Sequence, residues 1–420
     1  MPETNPPLLK VLSSLDEIPS ADWDSLANPG YPPILHEQAG WIDSPEMTQP
    51  EINQLPDSTP QGTSFNPMLS HAFLQALEES GCVGWDAGWI PQHLYWEENG
   101  KPVAAVPTYA KSHSQGEYVF DHAWADALER VGGDYYPKLQ SSIPFTPVPG
   151  RRLLISPDVN RAKAVKVLTS GLMELTNRIE GSSAHLTFLT EQEWKELGDQ
   201  GFLLRTDQQF HWDNNTYANF DEFLNALSSR KRKSIRKERK TALEHDIEVE
   251  WITGPDLSEA HWDAFYEFYK DTSSRKWGSP YLNRKFFSLL GERLADHTLL
   301  IMAKREGRYI AGALNMIGSD TLYGRNWGCV EDHPCLHFEI CYYQAIEFAI
   351  AKGLKRVEAG AQGTHKLARG YMPNLTYSAH WIANPSLRNA VAHYLDQERQ
   401  AVLYEQEILS SHGPFRQQDT

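Results

Sequence analysis

Cysteine is scarce in this chain, with four residues in 420, and three of them (Cys329, Cys335, Cys341) crowd into thirteen positions. That usage excludes a disulfide scaffold and suits a reducing compartment. Long apolar runs are missing too, since none approaches the roughly 18–20 residues that cross a bilayer. The opening MPETNPPLLKVLSSLDEIPS carries an acid and prolines where a signal peptide carries bases and then an apolar stretch. A cytoplasmic protein without a membrane span is expected. Positive charge is short as well: 39 Lys and Arg against 55 Asp and Glu give a net −16. A surface of that sign repels phosphate backbones as a whole, so no DNA partner is expected and any polyanion must be gripped locally.

What is present points to a mixed α/β (α+β) protein of more than one unit, because 420 residues exceed what a single core fills. Residues 1–62 are rich in Pro, Ser and acids, without periodicity, and read as irregular. Order is expected from Phe65-Asn66-Pro67, with Ser70 capping a helix through HAFLQALEES. An internal echo then sets the architecture. Leu94 to Tyr109 reads strand, turn at Asn99-Gly100, strand, and Leu299 to Met316 repeats it with the turn at Glu306-Gly307. Each hairpin is later followed by a helix and a strand: Ala162 to Ile179 then AHLTFLT, and His337 to Lys352 then LKRVEAG. Two similar units in tandem, 63–209 and 210–420, explain both. The second also holds the strands FHWDNN, DIEVEWITG and TYSAHWI, helices over Ser258–Asp271 and Asn283–Leu294, and a C-terminal helix from about Pro385 to Leu409.

Chemistry concentrates in EAGAQGTHKLARGYMP, Glu358 to Pro373. Gly360 and Gly363 allow tight turns, and Thr364 is placed to cap a short helix whose free N–H groups would face an anion. At helical spacing His365, Lys366 and Arg369 share one face and can grip one ligand. A second candidate is RKRKSIRKERK, residues 230–240, with eight cations and one acid in eleven positions. Arg232, Lys233 and Arg236 are its expected phosphate contacts, against the alternative of a solvated helix face. A third is the long connection from Tyr109 to Arg152, whose Lys111, His113, Tyr118, Asp121, His122 and Tyr136 could line a substrate site or simply pack between units. Cys329, His333, Cys335, His337 and Cys341 fit no familiar zinc spacing, so no metal site is expected.

These segments resemble the FemAB-like branch of the GNAT acyltransferase superfamily over about residues 64–384. The resemblance rests on NPMLSHAFLQALEESG, the run from Lys111 to Leu154, LHFEICYYQAIEFAIAKGLKR and GAQGTHKLARGYMP. It implies a tandem GNAT fold with the substrate cleft between or beside the units, and a metal-independent acyltransferase acting on an amine of a small-molecule or peptidyl acceptor. No tightly bound cofactor is implied. Acyl-CoA is the first donor, with an aminoacyl-tRNA donor of Fem type, acting on a peptidoglycan precursor or peptide, as the alternative; a non-catalytic cell-wall-fragment binder is the third reading. The usual CoA loop pattern is absent, and Gly150, Arg151 and Arg152 supply only part of it. For the transfer itself the acceptor amine must lose a proton. His365 is the expected base, with Glu339 and Glu358 as competitors, and Lys366, Arg369 and Arg325 as binders of a substrate phosphate or carboxylate.

Overall fold

The computed structural model describes residues 8–34, 64–276, 279–361 and 363–416. Both expected hairpins form, for one shared reason. His93–Glu98 and Lys101–Val106 turn through Asn99 (φ 53°) and Gly100 (φ 72°), and Thr298–Arg305 and Arg308–Ile317 turn through Glu306 (φ 51°) and Gly307 (φ 74°). Two successive left-handed residues make the turn whose twist matches its flanking strands. Each hairpin also carries a bulge on its second strand shortly after the turn, with Val103 extra opposite Trp96/Glu97 and Ile310 extra opposite Ala303/Lys304.

Eleven strands form one sheet, in the order Ile247–Thr253, Thr298–Arg305, Arg308–Ile317, Thr321–Cys329, Arg356–Glu358, Leu203–Asp213, Met372–Ile382, Ser183–Leu189, Lys138–Ser141, Tyr109–Lys111 and Trp89–Pro91. A second sheet of four strands holds Leu9–Leu12, the first hairpin and Leu154–Ile155. Each unit repeats one plan: an antiparallel neighbour, then a parallel pair joined by a helix. In the first, Lys138–Ser141 runs parallel to Ser183–Leu189 across the helix Arg161–Arg178. In the second, Thr321–Cys329 runs parallel to Arg356–Glu358 across a helix spanning 336–351. Apolar side chains of these helices and of the sheet face beneath them make the cores, Leu168, Leu172 and Leu186 in one unit and Ile340, Ile346 and Val357 in the other.

The closing strands are exchanged between units. Leu203–Asp213 follows the first unit but pairs with Arg356–Glu358 of the second, while Met372–Ile382 follows the second but pairs with Ser183–Leu189 of the first. The two exchanged strands also pair with each other, from Met372 opposite His211 to His380 opposite Leu203. Leu203–Asp213 thus runs through the point at which the sequence reading closes the first unit.

Part of the segment expected to be irregular is regular. Leu9–Leu12 pairs with the first hairpin, and the helix Ser20–Ala27 buries Trp23, whose Nε1 donates to the Leu69 carbonyl at 2.9 Å. Leu12, Leu15, Ile18, Trp23 and Leu26 supply enough apolar area to dock it between the prolines. The rest of that expectation, 1–7 and 35–62, lies outside the described residues. Among the described residues no helix is long and apolar enough to cross a membrane.

Candidate active site

Ladder partners point to the same face of a sheet, as do residues two apart on one strand. The registers therefore assemble one polar face across six neighbouring strands. Glu358 lies opposite His211, and His211 opposite Met372; Gln209 lies opposite Asn374. Ser378 and His380 face Thr187 and His185, Gln140 faces both His185 and Tyr109, and Lys138 faces Lys111. The interleaved residues Val357, Phe210, Trp212, Leu186 and Leu139 face the helices. Yet this polar face is not in water: Lys111, Lys138, Gln140, His185, His211, His380 and Glu358 are all buried.

Its cover is the long connection from Tyr109 to Arg152. Lys138 Nζ donates to Glu117 Oε2 at 2.7 Å, to Ser114 Oγ at 2.8 Å and to Asp121. Tyr135 OH donates to Asp121 Oδ2 at 2.7 Å, Gln209 Nε2 donates to the Pro147 carbonyl at 2.7 Å, and the Nδ1 atoms of His185 and His380 share a hydrogen bond of 2.7 Å. Six buried atoms here have no hydrogen-bond partner among the described residues: Glu358 Oε2, His211 Nδ1, Gln140 Oε1, Tyr109 OH, Asp121 Oδ1 and Glu117 Oε1, the last within 3.8 Å of Lys111 Nζ. Buried polar groups are nearly always satisfied, so such a concentration marks a place built to meet polar partners.

Burial also moves the charges. It lifts the Glu358 carboxyl to about 8 against the pull of Arg356 and Arg325, and the Glu117 carboxyl to about 7 against Lys138. It lowers Lys111 to about 7 despite Glu117, and His211 to about 3. Burial works on Asp121 in the raising direction, but Lys138 and His185 together bring it well below the ordinary carboxylate range.

The parallel pair of the second unit opens beside Glu358. Thr321–Tyr323 pairs with Arg356–Glu358, after which one strand continues through Arg325 to Cys329 while the other turns away at Ala359. A bulge opposite Leu314 inserts a residue at Arg325-Asn326, so the strand's faces switch: Tyr323 packs on one side of the sheet and Trp327 on the helix side. Arg325 Nη2 crosses to the first unit and donates to the Phe145 carbonyl at 3.0 Å. On the helix side, Trp327, His337, Phe338, Tyr342 and His365 form a chain of rings, with His337 5.2 Å from Trp327 and Phe338 5.9 Å from His365. His365 Nε2 and Tyr342 OH are 2.9 Å apart. The helix there contains a π turn, Glu339–Tyr343, a device common at functional sites. The basic helix Ser229–Ala242 holds it: Arg239 donates to Glu339 and Glu347 at 2.8 and 2.7 Å, and Glu238 accepts from Arg369 at 2.9 Å and from Tyr343.

The sequence matches the FemAB-like family, described as peptidoglycan biosynthesis/recognition, over residues 14–417. The chain belongs to that family. Its fold is mixed α/β, with the same plan of a parallel strand pair joined by a helix in each half. Among solved structures it is similar to FemX, at 12% identity and a TM-score of 0.48 over 76% of this chain and 93% of that one. It is also similar to L-PGS from Bacillus licheniformis, at 10% identity and a TM-score of 0.47 over 80% and 99%. A tandem GNAT protein from the clavulanic acid biosynthesis pathway aligns at 11% identity and a TM-score of 0.39 over 70% and 83%. No curated protein sequence matches.

In this FemAB-like chain the sequence-derived residues fall in different places. Glu358, Arg325, Lys111 and Asp121 line or flank the polar face, Tyr118 beside them takes a left-handed backbone (φ 61°), and Tyr136 OH meets Ser114 at 2.8 Å. His365, Lys366 and Arg369 do not share one gripping face. Thr364–Arg369 is a 3₁₀ turn of six residues rather than an α-helix, and Thr364 does not cap it, because Gly363 occupies that position. Lys366 folds back onto the carbonyls of Ala359 and Gly360 at 2.6 and 3.0 Å, and Arg369 lies 3.5 Å over the Phe338 ring. His365 alone remains exposed. Glu339 is fully buried in its ion pair with Arg239, which removes it as a base.

The partial CoA loop is also corrected. Arg151 donates to the Leu26 and Ala27 carbonyls, Arg152 is fully buried on the carbonyls of Val148 and Thr187, and Glu193 accepts the backbone N–H groups of Arg152 and Leu153, so the loop from Gly150 serves internal packing. His122 is exposed beside Phe120, and His113 Nε2 meets the Ala87 carbonyl at 3.0 Å. On the basic helix Arg232 meets Asn225 and Arg236 meets Asp221, while Lys233 has no side-chain partner among the described residues. Lys138 is among the polar groups that the sequence offers in the Tyr109–Arg152 connection, but sequence reasoning passed over Glu117, Gln140, His185, His211 and His380. The signal for the three histidines is the alternation in SAHLTFL, QFHWD and SAHW, which places polar residues at every second position.

Proposed function

We propose that this chain is a transferase that moves an acyl or aminoacyl group onto the amine of a small-molecule or peptidyl acceptor. The observation that carries the reading is Glu358: a buried carboxyl, raised to about 8, with one oxygen unpartnered, set where the parallel strands part. A base works best with its pKa near the operating pH. The acceptor nitrogen attacks the donor carbonyl carbon, its proton passes to the Glu358 carboxylate, and the bond from that carbon to the donor's sulfur or oxygen breaks, the leaving atom taking a proton. The strand edge past Tyr323, which has no ladder partner on that side among the described residues, offers backbone N–H groups to the developing oxyanion. His365, on the helix side with Tyr342, is assigned to the donor rather than to proton removal.

The donor carries phosphate in this reading. Arg230, Lys231, Lys233, Lys237 and Lys240 have no side-chain partner among the described residues, and they extend along a 14-residue helix of about 20 Å. Acyl-CoA is the first candidate. The length of that cationic row favours aminoacyl-tRNA as the second reading, since it exceeds a single pyrophosphate.

The test is a transfer assay with each donor. Glu358→Gln should lower turnover by roughly 10²–10⁴-fold with donor affinity unchanged, and wild-type turnover should rise toward pH 8. For a tRNA donor, Lys233→Ala with Lys237→Ala should reduce the salt slope of binding by about 2; for acyl-CoA the slope should stay shallow throughout. Equal turnover in Glu358→Gln would remove the assignment.

A further inference from the structure

An open groove of about 500 Å³ runs between the basic helix and the edge of the large sheet, lined by Arg239, Val249, Trp251, Gln344 and Glu347. That volume lies within the range of small-molecule sites. Ile247–Thr253 is the end strand of the sheet, so no strand lies beyond it among the described residues. Its two faces differ. On one, Glu250 is closed off by Lys304 at 3.3 Å and by Tyr309. On the other, Val249 and Trp251 border the groove, and Trp251 is 37% exposed. A large exposed aromatic at a sheet edge is a liability unless something covers it.

The indole is nevertheless held in place. Its Nε1 donates to Gln344 Oε1 at 2.8 Å, and Gln344 Nε2 donates in turn to Glu339 Oε1 at 2.8 Å. Phe348 meets the ring at 82° with centroids 5.3 Å apart. Arg239 is fixed as well. Its Nε and Nη2 are engaged by Glu339 and Glu347, and its guanidinium lies 4.5 Å from the centre of the Phe220 ring. A donor and an acceptor are left over: among the described residues neither Arg239 Nη1 nor Glu347 Oε1 makes a hydrogen bond. A fixed aromatic plane with one donor and one acceptor beside it is complementary to a purine. The base stacks on the plane, and an edge such as adenine's N7 and N6 amine returns the acceptor and the donor. Along the same helix Arg236 and Lys240, four residues apart, supply cations for an attached phosphate.

We propose that this groove binds a purine base of the phosphate-bearing donor, stacked on Trp251 with its edge on Arg239 and Glu347. The inference rests on the donor reading above for the source of the base. Coenzyme A carries an adenine and so does the 3′ end of a tRNA, so the chemistry is shared and the experiment separates the two.

The full chain is titrated calorimetrically with AMP, UMP, ribose 5-phosphate, coenzyme A and an RNA minihelix ending in CCA. Each is measured on wild type and on Trp251→Leu, which keeps an apolar contact for Phe348 and removes the aromatic plane. AMP should bind roughly tenfold more tightly than ribose 5-phosphate, with UMP between them. Trp251→Leu should erase that advantage and Trp251→Phe keep part of it. In NMR spectra the indole N–H signal that disappears in Trp251→Leu should shift with AMP and stay put with ribose 5-phosphate. Weaker binding of coenzyme A in Trp251→Leu identifies the cofactor as the source, and weaker binding of the minihelix identifies the tRNA end; each sustains the groove. Equal affinity for AMP and ribose 5-phosphate, UMP binding as tightly as AMP, an unmoved Trp251 signal, or no loss for either donor would overturn the proposal. AMP binding that needs Trp251, with no transfer from either donor, would keep the groove and remove the function. Transfer that Trp251→Leu leaves unchanged, with no AMP binding, would do the opposite.

Discussion

Glu358 makes a prediction that needs no substrate. Its carboxyl sits at about 8 in the folded chain against an ordinary 4.5, and burial is the first cause. Between those values the folded chain holds a proton that the unfolded chain has lost. Stability attributable to this group is therefore complete below about pH 4.5 and falls as pH rises, by about 1.4 kcal/mol per pH unit, until the folded carboxyl has ionised. Glu358→Gln keeps the shape and cannot ionise, so it escapes the penalty. The variant should match wild type near pH 4.5 and gain on it steadily through pH 8, to a difference of about 5 kcal/mol that then levels off. Glu117 and Lys111 titrate in the same range, but both are present in each protein and drop out of the comparison. Urea unfolding at half-unit pH steps, with equal m-values in the two proteins, reads the difference directly. A gap that does not change with pH, or one that narrows as pH rises, would refute the burial argument for Glu358.

Other features give their own expectations. Arg239→Ala should destabilise by about 3–5 kcal/mol, because it leaves Glu339 buried without its cation, whereas Arg239→Met combined with Glu339→Leu should recover most of that loss in urea titrations. Gly363→Ala places a methyl group 2.5 Å from the His365 ring on a backbone at φ 120°, so it should cost about 1–3 kcal/mol and shift the His365 imidazole signals in NMR spectra. His122→Ala removes an exposed ring outside both faces of the site and should change neither stability, beyond about 0.5 kcal/mol, nor transfer.

Local features were legible in the sequence because local chemistry decides them. Asn99-Gly100 and Glu306-Gly307 tolerate the left-handed backbone their turns require, and Ser70 caps its helix at Phe73 N as its position suggests. In the sequence, DEFLNALSSRKRKSIRKERKTALEHD reads as one long helix broken near Ser228-Ser229, and the structure divides Phe220–Ala226 from Ser229–Ala242 there. What escaped was long-range register. Each of Ser183–Leu189, Met372–Ile382 and the end of Leu203–Asp213 from Gln209 alternates polar with apolar residues, which by itself reads as a strand with one wet side. Only the pairing of His185 with His380 and of His211 with Glu358 shows that those sides join into one buried surface. The turn at Thr364 misled for a related reason. Helical spacing groups His365, Lys366 and Arg369, but the carbonyls of Ala359 and Gly360 compete for the lysine and Glu238 for the arginine, from partners no spacing rule names.

The exchange of closing strands bears on how the chain is made in the cell. Ser183–Leu189 gains its outer neighbour only when Met372–Ile382 has been synthesised, roughly 190 residues later, or on the order of 10–40 s at typical elongation rates. For that interval the nascent first half carries an open sheet edge, the kind of surface that recruits other strands. Translation speed over the second half thus becomes a determinant of yield, and slow codons placed after Leu189 should divert more of the product into aggregates than the same codons placed before Trp89.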